Sequence, residues 1–423
     1  MDSSSVNQLL DIVWIITAGA LVFFMQAGFA LLEAGMVRSK NAVNVVMKNY
    51  MDVCFGSLAF FAIGYGLMFG STPTGLFGTD KFFGNDVSDV EYATLFFQMM
   101  FAATAATIMS GAVAERMRYF AYIASAVFVV AFIYPIYGSW VWGSLEGTTS
   151  GWLSKLGFID FAGSSVVHSV GGWCALAGIV VLGPRLGRFG RRRGAKGAAA
   201  SPIETRRLPG HNLPLVALGG FILWLGFFGF NAGSTLAADV IIGKIALNTQ
   251  LAGAAGVIGS VLALKAMGRP VLLTFTVNGG LGGLVAICAG ADIMMPGYAA
   301  CTGLIAGVLV TYGVWFFEHL RLDDAVGAVS VHGIGGVWGT LSVALMTPEH
   351  FFDLGQLWIQ TIGITVAFLW AFPTAYVVFK LINFVFSIRV DSIDEQRGLD
   401  FTEHYEIGYP EFQRDILHSG VDK

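Results

Sequence analysis

Runs of mainly apolar residues recur from Leu9 to Ser387 with short polar breaks between them. Each is roughly 20 residues long, enough to cross about 30 Å of bilayer hydrocarbon as a helix. The pattern predicts eleven transmembrane helices, over 9–34, 45–70, 92–113, 119–143, 163–183, 211–232, 245–266, 271–291, 298–319, 327–347 and 356–387. A membrane β-barrel would instead read as alternating segments of about ten residues. The expected fold class is an all-α integral membrane protein.

Composition agrees with that pattern. Only 12% of the 423 residues are charged and 55% are hydrophobic, whereas soluble domains carry about 25% charged residues. The 55 glycines suit helices that pack backbone against backbone. No Lys or Arg occurs in the first 30 residues, so the first run is expected to be a retained helix rather than a cleaved signal. Cys54, Cys174, Cys288 and Cys301 lie in or beside the runs without CxxC spacing and read as small buried residues. No P-loop, HExxH or Cys/His cluster is visible, so neither an ATP-driven pump nor an intramembrane metalloenzyme is expected, and the expectation is of no cofactor and no nucleic-acid partner.

Basic residues gather in alternate loops. Arg38, Lys40 and Lys48 follow the first span, Arg116 and Arg118 the third, and Lys265 and Arg269 the seventh. Eight, from Arg185 through Arg191, Arg192 and Arg193 to Arg207, follow the fifth. The other loops are neutral or acidic, as with Asp80, Asp86, Asp89 and Glu91. The positive-inside rule then places the N-terminus outside and the tail after Ser387 in the cytoplasm of a cell with this protein in its plasma or inner membrane. The tail, with Asp391, Asp394, Glu395, Arg397, Glu403, His404 and Glu406, reads as a regulatory or docking segment, or a junction to an output domain, over 391–423.

An internal repeat sets the architecture. Asp160-Phe-Ala-Gly-Ser-Ser-Val-Val-His168 opens the fifth span and Asp324-Ala-Val-Gly-Ala-Val-Ser-Val-His332 opens the tenth, and each continues into Gly-Gly. Copies five spans apart enter the membrane from opposite sides, as in inverted-repeat transporters. The chain thus divides into two inverted five-helix repeats, about 9–183 and 211–347, and an eleventh helix at about 356–387, in a membrane domain over 1–390. Eight helical residues rise about 12 Å, which predicts that His168 and His332 meet near the midplane. Ionisable groups inside spans mark substrate or proton pathways, and a neutral imidazole offers one donor and one acceptor. Asp160 reads as a helix cap or as a negative charge for a cation, and Asp323 and Asp324 beside Arg321 as caps and ion-pair partners. Trp140, Trp142, Phe101 and the run Phe227 to Ser234 supply aromatic faces and a hydroxyl at one end of the spans, a set able to hold a small cation.

At these residues the chain closely resembles the ammonium transporter, methylammonium permease and Rhesus family. The likeness runs from Gln26-Ala-Gly-Phe-Ala-Leu-Leu-Glu-Ala-Gly35 and Gly111-Ala-Val-Ala-Glu-Arg116 through Asp160-Phe-Ala-Gly163, Val166-Val-His168, Gly226 to Ser234 and Asp323-Asp324 with Val331-His-Gly-Ile-Gly-Gly336 to Gly398-Leu-Asp400. It implies a homotrimer in membrane lipid, with a pore for ammonium or ammonia in each subunit. It also implies a recruitment site at Trp142 and Ser234 supported by Asp160, a gate of Phe101 and Phe230, and twin pore histidines His168 and His332. A PII-type signalling protein is the implied cytoplasmic partner. Phe227, Ser164-Ser165 and Cys288 depart from common family residues, and the tail is longer than usual. Some members are fused to signalling domains as ammonium sensors.

Overall fold

A computed structural model describes residues 3–143, 151–191 and 203–412. Arg192 and Arg193 of the basic loop and the last part of the tail lie outside the described residues. Among those described, ten helices are long and apolar enough to cross a membrane: α1 (Ser4–Met36), α2 (Ser39–Phe69), α3 (Glu91–Ala112), α4 (Tyr119–Trp142), α5 (Ser164–Leu182), α6 (Leu213–Gly233), α7 (Ile242–Ala266), α9 (Pro296–His319), α10 (Val329–Met346) and α11 (Leu354–Val385). Between them α8 (Leu273–Ile287) is apolar but only 15 residues long. It stops short of the predicted 271–291 because the next backbone carbonyls serve another segment. Ala289 O accepts from Phe161 N–H at 3.1 Å and Cys288 O from Ala162 N–H at 2.8 Å. A two-stranded antiparallel ribbon, β1 (Phe189–Arg191) with β2 (Ile203–Thr205), stands in the loop before α6.

Small residues bring the helices together. A Cβ on Gly219 would lie 2.5 Å from Leu32 N, and one on Gly28 would lie 2.9 Å from Leu223 N, so α1 and α6 touch through backbone. The same holds for α7 and α9, where Gly303 and Gly307 face the carbonyls of Ala252 and Gly256 at 2.1 and 2.0 Å from their would-be Cβ atoms. In lipid, where neighbouring chains are already apolar, such close packing replaces the hydrophobic drive of a soluble core.

The two halves meet reciprocally. Gly172 packs against Gly333 N, and its counterpart Gly336 against Ser169, the counterpart of Gly333. Contact of i with j, repeated as the equivalent of j with the equivalent of i, is the signature of a two-fold relation.

Two expectations change. Cys54 and Cys301 are exposed, while Cys174 and Cys288 are buried; a small apolar side chain gains as much against lipid as inside the bundle. Lys48, expected as a loop charge, is fully buried in α2 and donates to Met117 O at 3.0 Å. Its four-carbon stem and a carbonyl partner let it lie inside.

The described part of the tail is docked. Its short helices Ser392–Arg397 and Leu399–His404 lie against the start of α2 and the loop after α5. Asp400 Oδ1 accepts from Asn44 N–H at 2.8 Å, Leu399 N–H donates to Asn41 Oδ1 at 2.9 Å, and Glu395 Oε1 accepts from Leu186 N–H at 2.6 Å.

Candidate pore and its twin histidines

Both histidines sit on one wide turn of π-helix, Ser164–Ser169 and Val329–Ile334, that opens α5 and α10. Such turns redirect side chains and recur at functional sites. Each is capped by the aspartate ahead of it. Asp160 Oδ1 accepts from Gly163 N–H at 3.0 Å, and its Oδ2 accepts from Ser165 N–H at 2.8 Å, Ser165 Oγ at 2.7 Å and Val166 N–H at 2.9 Å. Asp324 Oδ1 takes Gly327 N–H at 2.9 Å and Oδ2 takes Val329 N–H at 2.7 Å. Gly163 and Gly327 turn the chain at φ 106° and 84°, a region costly for any residue with a Cβ. The segment from Asp to His is therefore a looped cap followed by a π turn. The expected straight rise over eight helical residues does not occur, because the carboxylate draws the chain back on itself.

The side chains converge on one line. Trp142 Nε1 donates to Asp160 O at 2.7 Å, and its ring meets Phe101 edge-on with centroids 6.2 Å apart. Phe101 stacks on Phe230 at 3.9 Å and 14°. Phe230 stacks on His168 at 5.2 Å and 26°, and His168 on His332 at 5.2 Å and 28°. The two Nδ1 atoms are 3.1 Å apart. Cys288 Sγ lies 3.7 Å from His168 Nε2, a neighbour that spacing along the chain does not reveal.

Each end of this line opens into a cavity. At the Asp160 end a space of about 310 Å³ is bounded by Trp142, Asp160, Ser234, Gln98, Phe161 and Asp292. Ser234 Oγ donates to Phe230 O at 2.9 Å, so its lone pairs remain for another donor. At the other end, beyond His332, a space of about 20 Å³ includes Phe29, Glu33, Asn278 and Val326. Asn278 and Val326 also bound a mouth of about 260 Å³ with Asp324. Sequence reasoning had no role for Gln98, Phe29 or Asn278; an amide in an apolar run is the only mark that Asn278 carries.

Charges at the mouths are held in fixed networks. Burial pushes the Asp160 carboxyl above the usual range, and the hydrogen bonds from Ser165, Val166 and Gly163 pull it back. Asp323 pairs with Arg185 at 2.8 Å and Arg188 at 3.2 Å rather than with the adjacent Arg321. Burial raises its carboxyl, but the Arg185 contacts outweigh this and hold it well below the usual range. Arg185 also bonds Glu115 at 3.0 Å, and buried Arg116 donates to Asp323 O at 2.7 Å.

The profile of the Ammonium Transporter Family matches residues 13–409. An ammonium transporter of Archaeoglobus fulgidus, Amt2, is 44% identical over 428 aligned residues that span 95% of this chain and 89% of that one. Among solved structures, one titled Sensor Amt Protein superposes with a TM-score of 0.89 at 40% identity, covering 95% of this chain and 100% of the other. Mep2 of Candida albicans superposes with a TM-score of 0.81 at 26% identity, covering 93% and 89%.

Proposed function

The chain belongs to the ammonium transporter family, whose members are transporters and not enzymes, and on that footing we propose that ammonium is captured at Trp142 and Ser234 and crosses past His168 and His332 as ammonia. The observation that carries this reading is the unbroken file Phe101, Phe230, His168, His332 between two cavities. An ammonium ion placed unpaired in apolar surroundings costs on the order of tens of kcal/mol, whereas neutral ammonia has no such charge penalty. The stacked phenylalanines are the gate at which a proton must be left behind. Asp160 fixes the start of α5 and keeps a negative charge beside the vestibule. Potassium has no proton to shed and stops at the gate.

In this reading the Asp160 end faces outside, and the docked tail and basic loops face the cytoplasm. The subunit works in a homotrimer embedded in lipid, each copy with its own pore, and the basic cytoplasmic face with its tail receives a PII-type protein. The test is purified protein in vesicles under an ammonium gradient. A current that scales with ammonium marks co-passage of the proton, and a luminal pH change without current marks passage of ammonia alone. The absence of both signals would overturn the proposal.

A second reading rests on the superposition with the protein titled Sensor Amt Protein and on the docked tail: the same pore binds ammonium and drives a cytoplasmic output domain. Vesicles without flux, together with ammonium-dependent release of the tail, would favour it.

A further inference from the structure

The apolar run of α1 contains a buried carboxylate that the pore mechanism above does not use. Glu33 is buried, with 2% of its surface exposed, and lines the same small cavity as His332. That cavity, about 20 Å³, is large enough for one water-sized molecule. Glu33 Oε2 accepts from Ser110 Oγ at 2.5 Å and from Asn49 Nδ2 at 3.0 Å. Both donors are neutral; the charged and titratable groups that act on Glu33 from the neighbouring helices are buried Lys48, which donates to Met117 O, and Asp52 with its partner Tyr122. The seat is shaped for the group: a Cβ on Gly111 would lie 3.0 Å from the Glu33 carboxyl. A carboxylate inside a span is costly, and the sites that keep one face a polar path. Here the path continues through Asn278, whose Nδ2 donates to Val326 O at 2.8 Å, into the mouth of about 260 Å³.

We propose that Glu33 is the inner ammonium site of this pore, where ammonia emerging past His332 regains its proton before leaving through the mouth beside Asn278. The inference rests on the transport reading and extends it to the exit. In the step, the lone pair of ammonia takes the proton of the Glu33 carboxyl, the O–H bond breaks as the N–H bond forms, and ammonium stands beside a carboxylate. Ammonium departs into the aqueous mouth, and a water there breaks its O–H bond to return a proton to Glu33, leaving hydroxide in the mouth. In the opposite direction the same carboxylate receives ammonium and accepts its proton.

The experiment uses the full chain in oriented vesicles, with ammonium flux recorded while pH on the mouth side is varied at constant outer pH. Glu33→Gln keeps an oxygen to accept from Ser110 and Asn49, so it preserves the packing and removes only the transferable proton. The expected result is a flux lowered by about a hundredfold or more, the scale of a positioned acid or base, with the dependence on mouth-side pH abolished. Methylammonium quenching of tryptophan fluorescence stays as in wild type. Glu33→Asp, which retains an acid, recovers part of the flux with a displaced pH profile. Wild-type flux and pH profile in Glu33→Gln would overturn the assignment, as would equal loss in both variants with the residual pH profile unchanged. A wild type that carries no ammonium would instead remove the transport reading, and this site with it.

Discussion

Nδ1 of His168 stands 3.1 Å from Nδ1 of His332, so the two rings meet through identical atoms. One proton fits between two ring nitrogens, hence one ring donates and the other accepts. The pair holds its protons as a unit, and the direction of the bond reverses whenever that proton moves. The contact depends on how closely the two π turns approach.

That dependence gives the first prediction. A Cβ on Gly172 would lie 2.5 Å from Gly333 N, and one on Gly336 would lie 2.3 Å from Ser164 O. Gly172→Ala and Gly336→Ala force the halves apart, at a cost of about 1–3 kcal/mol for overpacking. A lower thermal midpoint in detergent and a flux loss similar in both variants are expected. Wild-type flux in either would separate the meeting of the halves from transport.

The proposed gate supplies the second. Phe230 stacks on both Phe101 and His168, so Phe230→Ala opens a hole between vestibule and histidines. Its stability cost is about 3–5 kcal/mol, as for other buried aromatic truncations. Potassium-selective electrodes on loaded vesicles are expected to record a leak absent in wild type. An equally potassium-tight variant would place the selectivity elsewhere.

Charge at the mouth supplies the third. Arg185→Ala removes the partner that bonds buried Asp323 through both oxygens and leaves it Arg188 at 3.2 Å, so the cost is at most about 3–5 kcal/mol, the figure for a buried pair broken outright. Because the folded Asp323 carboxyl is held below its ordinary value, its stabilisation is present above the unfolded value of about 3.9. It is lost as pH falls toward the folded one. Thermal melts of wild type and Arg185→Ala should therefore differ fully above about pH 5, and the gap should shrink progressively as pH falls below about 4 toward the folded value. A gap independent of pH would assign the Arg185 effect to packing alone.

Hydropathy made the number and order of the spans legible, and the paired Asp…His segments made the inverted halves legible, because both are written as spacing. What spacing does not record is where backbone hydrogen bonds go. The early end of α8 follows from the claims of Phe161 and Ala162 on its following carbonyls. The same blindness hides the looped caps at Asp160 and Asp324, so a helical rise misstates the route to each histidine. Charge position is likewise ambiguous: Lys48 reads as a loop residue and lies buried. Glu33 was visible as an acid within an apolar run, but its nearness to His332 arises only when α1 folds beside α10.

The twin imidazoles carry the central claim, and current recordings on purified protein in planar bilayers or vesicles test it most directly. His168→Ala and His332→Ala should each bind ammonium at the vestibule as wild type does, yet lose ammonium-evoked flux or pass potassium alongside it. Undiminished flux with undiminished selectivity in both variants would contradict the account.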